Sequence, residues 1–142
     1  MKPAPFAYAR AETLDDALAL LAEHGENARI LAGGQSLMAT LNMRLSAPKI
    51  LIDINRIAGL AGIEETGDAL RIGAMTRHVD IETSGLVARH APLIARAMAD
   101  IAHPAIRNRG TFGGSIAFAD PAAELPACAV ALNATMHITG PG

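Results

Sequence analysis

Hydrophobic positions recur at helical spacing through Leu14, Ala17, Leu18 and Leu21, between Thr13, which has Asp16 three residues on, and Gly25. A capping hydroxyl, a reciprocal acid and a terminal glycine mark both ends of an amphipathic helix. The pattern then changes period. Arg29, Ile30, Leu31 and Ala32 predict a short apolar strand, Gly33-Gly34-Gln35-Ser36 a turn, and Leu37 to Arg44 a second helix that Pro48 stops. Lys49-Ile50-Leu51-Ile52-Asp53-Ile54 is a nearly unbroken apolar run, as expected of a buried strand parallel to the previous one. The chain up to Asn55 therefore predicts a small β-α-β-α-β unit with right-handed crossovers.

After Asn55-Arg56 the character changes, and a second subdomain is expected to begin near Ala58. Ile63 to Thr66 and Leu70 to Ala74 flank Gly67-Asp68 as an antiparallel hairpin. Thr76 is placed to cap a helix ending near Thr83, and Pro92 to open another that carries Leu93, Ile94, Ala97, Met98 and Ile101. His103-Pro104 breaks that helix, and Ala105 to Thr111 leads into a second glycine segment, Thr111-Phe112-Gly113-Gly114-Ser115. Asp120-Pro121 opens a turn, Pro126 fits the first turn of a helix reaching about Leu132, and Thr135 to Thr139 alternates like an edge strand. Gly140-Pro141-Gly142 is a turn with nothing to return, which reads as a cut product. The expected fold class is α+β with an α/β-like N-terminal half. Residues 1–57 form one subdomain; residues 58–142, a mixed or antiparallel sheet with helices, form a second that lacks its C-terminal part.

Composition narrows the function classes. Half of the 142 residues are hydrophobic and 18% are charged, the balance of a folded globular chain. With Phe6, Tyr8, Phe112 and Phe118 the only aromatics, the core must come from aliphatic residues and alanine. A net charge of -2 with scattered Lys and Arg offers no footprint for a nucleic acid backbone. The single cysteine, Cys128, cannot close an internal disulfide; the N-terminus shows no signal-type apolar region, and no run is long enough for a membrane span. A cytoplasmic protein is expected.

Candidate chemistry lies in the two glycine segments. Paired glycines permit positive φ and close approach of a ligand to the main chain, so several N–H groups can converge on one anion, with a helix start behind them. Gln35 and Ser36 in the first segment, and Thr111 and Ser115 in the second, add neutral hydrogen-bonding groups. Two such loops on one cleft would hold a diphosphate from both sides; the alternative is a pair of tight turns. Neither a P-loop nor a G-x-G-x-x-G motif is present, which disfavours ATP hydrolysis and the ordinary dinucleotide fold. His24, His78, His90, His103 and His137 are dispersed and read as surface or packing residues, and Cys128 as core. Arg107 and Arg109 precede the second segment and could pair with phosphate or a partner, or simply be solvated.

Leu31-Ala32-Gly33-Gly34-Gln35-Ser36-Leu37, Ile106-Arg107-Asn108-Arg109-Gly110-Thr111-Phe112-Gly113-Gly114-Ser115-Ile116-Ala117 and Ala119-Asp120-Pro121-Ala122-Ala123-Glu124-Leu125-Pro126 resemble the FAD-binding medium subunit of molybdenum hydroxylases of the carbon monoxide dehydrogenase and xanthine dehydrogenase type. The resemblance spans the whole chain. It implies a two-subdomain PCMH-type flavin fold with FAD extended between the subdomains. Its diphosphate would lie against Leu31, Ala32, Gly33, Gly34, Gln35, Ser36 and Leu37 and against Gly110, Thr111, Gly113, Gly114 and Ser115. Ala117 would lie near the flavin, and Asp120 or Glu124 would accept hydrogen bonds from ribityl or adenosine hydroxyls.

The same resemblance implies an oxidoreductase complex. Substrate is hydroxylated at a molybdenum cofactor on a large subunit, and electrons pass through [2Fe-2S] clusters on a small subunit to FAD and on to NAD, quinone or another acceptor. One cysteine cannot supply the thiolates of such a cluster, so the metals belong to the partners. The hydroxylated substrate is not encoded here. A noncatalytic phosphate-binding or scaffold module is the alternative, and flavin colour separates the two.

Overall fold

The computed structural model describes residues 1–140. The chain divides into two compact units, Met1–Ala58 together with the chain from His137 on, and Gly59–Met136.

The first unit is built on three short parallel strands, β1 (Ala7–Arg10), β2 (Ala28–Leu31) and β3 (Ile50–Asp53), in the order β1-β3-β2. The most continuously apolar of the three takes the centre: Ile50, Leu51 and Ile52 are all buried, because a strand flanked on both sides and covered on its faces has no polar surface to meet. Helix α1 (Leu14–His24) links β1 to β2. It starts at a reciprocal capping box in which Asp16 N–H donates to Thr13 Oγ1 at 3.0 Å and Thr13 N–H to Asp16 Oδ2 at 3.0 Å. It stops at Gly25, whose φ of +51° suits glycine. Helix α2 (Leu37–Asn42) returns the chain toward β3 and is shorter than its sequence pattern suggests. Arg44 turns left-handed at φ +57° and Leu45 N–H reaches back to the Thr40 carbonyl, so the helix has ended well before Pro48.

The second unit opens with the hairpin β4 (Ile63–Thr66) and β5 (Ala69–Ile72), in which Thr66 pairs directly with Ala69 across Gly67-Asp68. Gly67 occupies the first loop position at φ +62°, which explains why the glycine precedes the aspartate. Six helices follow: α3 (His78–Glu82), α4 (Gly85–His90), α5 (Pro92–Ala97), α6 (Pro104–Arg107), α7 (Phe112–Phe118) and α8 (Glu124–Ala131). Pro92 and Pro104 open their helices, and Pro126 sits within the first turn of α8, where no intrahelical N–H is needed. Ile81, Val87, Ala91, Ile94, Met98, Ile101, Leu125 and Cys128 form the core, with Ile63, Leu70 and Ile72 of the hairpin packed on it.

Two local expectations change. Thr76 is not a helix cap: it is buried, its hydroxyl accepts from Gly62 N–H and donates to the Gly62 carbonyl, and Arg77 takes the capping position of α3, its side chain making no capping bond there. Residues 135–139 form no strand; they are exposed and pair with no neighbouring strand, which alternation alone cannot supply. The turn expected at Gly140-Pro141-Gly142 lies partly outside the described residues. Among the described residues, no helix is long and apolar enough to cross a membrane.

Candidate functional site

In the first unit, β2 runs into Ala32, Gly33, Gly34, Gln35 and Ser36 before α2 begins at Leu37. The positive φ falls on Gly34, at +73°, and a Cβ there would lie 3.2 Å from Leu31 Cδ1. The carbonyls of Leu31, Ala32 and Gly33 are all engaged. Asn55 Nδ2 donates to the Ala32 carbonyl at 2.9 Å and to that of Leu31 at 3.4 Å, Ile54 N–H also donates to Leu31, and the Gln35 amide donates to the Gly33 carbonyl at 3.0 Å. The N–H groups of residues 33–37, by contrast, donate to no other described residue. Gly33 is buried while Gln35 and Ser36 are exposed. An unpaired row of main-chain donors needs acceptors, and a ligand rich in anionic oxygens fits it. The Ser36 hydroxyl, which makes no capping bond, lies in the same row. A helix as short as α2 adds little dipole, so the N–H groups carry the fit.

A side-chain network holds this segment. Asp53, at the end of β3, accepts from Tyr8 Oη at 2.6 Å through Oδ2, and from Asn55 N–H and Nδ2 at 2.8 and 2.6 Å through Oδ1. Partial burial works to raise the Asp53 pKa, but the hydrogen bonds from Tyr8 and Asn55 outweigh it and hold the carboxyl below its ordinary value. The hydrogen bond to Asp53 pushes the Tyr8 hydroxyl up. Sequence reading missed all three residues; a polar Asp-x-Asn ending a buried strand was the available signal.

The second glycine segment is built differently. Gly113 and Gly114 do not form a loop but lie in α7, with Thr111 as its cap. The expected row of free N–H groups is absent because neighbours in the same unit have taken them. Phe112 N–H donates to the Thr76 carbonyl at 2.9 Å, Gly113 N–H to that of Ala74 at 2.8 Å, and Gly114 N–H to Thr111 Oγ1 at 3.2 Å. The Ser115 N–H closes a helical bond to Thr111. Packing explains the glycines: a Cβ on Gly113 would meet Ala74 Cβ at 2.6 Å, and one on Gly110 would meet His78 Nδ1 at 2.8 Å. The outward groups are the half-buried Gly114 and Ser115 and the exposed Ala117.

Asp120 is exposed and uses Oδ1 to accept from Ala122 N–H at 2.9 Å, while Glu124 opens α8 half-buried. Arg107 is no free phosphate ligand: its Nε pairs with Glu82 Oε2 at 2.9 Å, and Nη1 donates to the carbonyls of Ile101 and Ala102. Arg109 offers its carbonyl to the Arg77 guanidinium. Burial, helped by the nearby Glu124 charge, pushes the Cys128 thiol up and away from reactivity. Among the described residues, no group of three His, Cys, Asp or Glu side chains could hold a metal ion.

Comparison with known proteins settles the lineage. The family described as "FAD binding domain in molybdopterin dehydrogenase" matches residues 4–142. The chain belongs to this family. As a member of these FAD-binding domains it is 52% identical over 134 residues to the 6-hydroxypseudooxynicotine dehydrogenase complex subunit alpha of Paenarthrobacter nicotinovorans, a match covering 94% of this chain and 45% of the relative. It is 43% identical over 141 residues to the carbon monoxide dehydrogenase medium chain of Hydrogenophaga pseudoflava, covering 99% of this chain and 49% of that one. Among solved structures, a carbon monoxide dehydrogenase from Hydrogenophaga pseudoflava lacking the Mo-pyranopterin moiety superposes with a TM-score of 0.90 at 45% identity, over 92% of this chain and 46% of its own. The mixed α+β architecture is thus that of the family's FAD-binding domain. The chain spans about half the length of the curated relatives it matches.

Proposed function

We propose that this chain binds FAD as the flavin-carrying, electron-transfer part of a molybdenum hydroxylase. The observation that carries this reading is the unpaired N–H row of residues 33–37, with its carbonyls tied back, in a chain of an FAD-binding family. In this reading, residues 31–37 receive the FAD diphosphate through main-chain donors. Gly110, Thr111, Gly113, Gly114 and Ser115 shape a second contact whose polar contribution is the Ser115 hydroxyl. Ala117 lies near the flavin, and Asp120 and Glu124 accept from ribityl or adenosine hydroxyls.

When bound, the flavin supplies the redox chemistry, and the chain's own residues orient it and shield its diphosphate. A small subunit carrying [2Fe-2S] clusters delivers electrons from a large molybdopterin subunit, and NAD, quinone or another acceptor receives them. The single cysteine and the absence of long apolar runs in the sequence fit a cytoplasmic complex. The test is visible flavin absorbance of the purified subunit, with FAD released on denaturation. Colourless protein that takes up no FAD on reconstitution would return the chain to a noncatalytic phosphate-binding or scaffold role.

A further inference from the structure

We infer that Tyr8, Asp53 and Asn55 are positioning residues: a hydrogen-bonded latch that orients the peptide planes at the end of β2 so that the Gly33 N–H, the first donor of the row at residues 33–37, faces the ligand. The inference rests on the FAD reading above and names the device that prepares the site.

The geometry follows from strand register. Tyr8 pairs with Leu51, so Asp53 is the diagonal neighbour two residues on, on the same face of the sheet and within reach of the phenol. The 2.6 Å bond from Tyr8 Oη fixes one carboxylate oxygen. The other receives both the N–H and the side-chain amide of Asn55, two residues along the chain, as an Asx turn does. That grip orients Nδ2 so that it also meets the carbonyls of Leu31 and Ala32. A peptide plane whose carbonyl is held on one side presents the N–H of the next residue on the other. The Ala32 carbonyl shares its plane with the Gly33 N–H, the first donor of the row. The Gly33 carbonyl, held by Gln35, shares its plane with the Gly34 N–H. Without the latch, the glycine that follows would leave the Ala32–Gly33 plane free to rotate, and binding would carry the cost of ordering it.

The experiment uses the complete flavoprotein subunit freed of flavin. FAD and ADP dissociation constants are measured by calorimetry, alongside the melting temperature of the flavin-free form. Asn55→Ala is expected to weaken both ligands about tenfold, the loss of roughly one net hydrogen bond. Asn55→Asp, which places an acceptor against the Ala32 carbonyl, should weaken them further, and Tyr8→Phe by about threefold or less. The flavin-free melting temperature should stay near wild type, a separation that a merely structural role would not produce. Equal loss for FAD and ADP assigns the effect to the diphosphate. Wild-type affinities in Asn55→Asp, or affinity and melting temperature falling together, overturn the latch alone. A wild-type subunit that binds neither ligand overturns the FAD reading and the latch with it.

Discussion

The imidazole of His78 fills the space that any side chain at Gly110 would need: a Cβ there would lie 2.8 Å from Nδ1 and 2.9 Å from Cε1. The two residues are tied as well as packed, since His78 N–H donates to the Gly110 carbonyl at 3.0 Å. His78 is buried, and neither ring nitrogen has a hydrogen-bond partner among the described residues.

Gly110→Ala should therefore destabilise the second unit by about 1–3 kcal/mol, as overpacking does in a well-filled interior. Chemical denaturation reads the change as a lower midpoint at constant slope. His78→Ala in the same chain should relieve part of the loss, giving a non-additive cycle. Strict additivity would mean that the two residues do not contend for one space.

His78 also makes stability depend on pH. Burial lowers its pKa from the ordinary 6.5, the Thr111 main chain offsets that only in part, and the Arg107 charge on α6 adds a smaller push downward. Glu82, on the same helix, is engaged by Arg107. A depressed histidine pKa means that the unfolded chain takes up a proton before the folded one. The stabilisation is complete above about 6.5 and is lost as pH falls toward the folded value. Denaturation midpoints followed from pH 8 to pH 5 should decline below about 6.5 in the wild type and decline less in His78→Leu.

Gly33→Asp would place a carboxylate in the N–H row, where two like charges about 4 Å apart repel by about 4 kcal/mol near a protein surface. FAD affinity should fall by a hundredfold or more while the far-ultraviolet circular dichroism stays that of wild type. The ratio of flavin to protein absorbance after gel filtration measures it; an unchanged ratio removes residues 33–37 from the site.

Thr111→Val keeps the shape of the side chain and deletes the acceptor for Gly114 N–H. About 1 kcal/mol of stability should be lost with the cap. Urea unfolding would show it, and an unaltered midpoint would mean that the start of α7 is held by the Thr76 and Ala74 carbonyls alone.

Much of the fold was legible along the chain because its determinants are short-range. Thr13 and Asp16 name their own capping box, Gly67-Asp68 its hairpin, and Pro92 its helix start. The unbroken run Ile50-Leu51-Ile52 announced a strand buried on both faces. Where reading failed, a distant partner had outbid a local signal. Thr76 looked like a cap but gave its hydroxyl to Gly62, fourteen residues back in sequence. The alternating stretch at 135–139 found no strand to pair with.

The two glycine segments mark the division most clearly. Residue types alone determined that both would bring backbone close to something, because only glycine lacks the Cβ that would prevent it. Tertiary structure decided what that something is. At Gly113 it is the main chain of Ala74, and the neighbouring N–H groups are already bonded. At residues 33–37 the donors stay open, and Asp53, held by Tyr8 forty-five positions away, keeps Asn55 on the carbonyls of Leu31 and Ala32 that lead into them. Spacing along a chain specifies which hydrogen bonds a segment can make with itself; which groups remain for a ligand depends on contacts that only folding brings together.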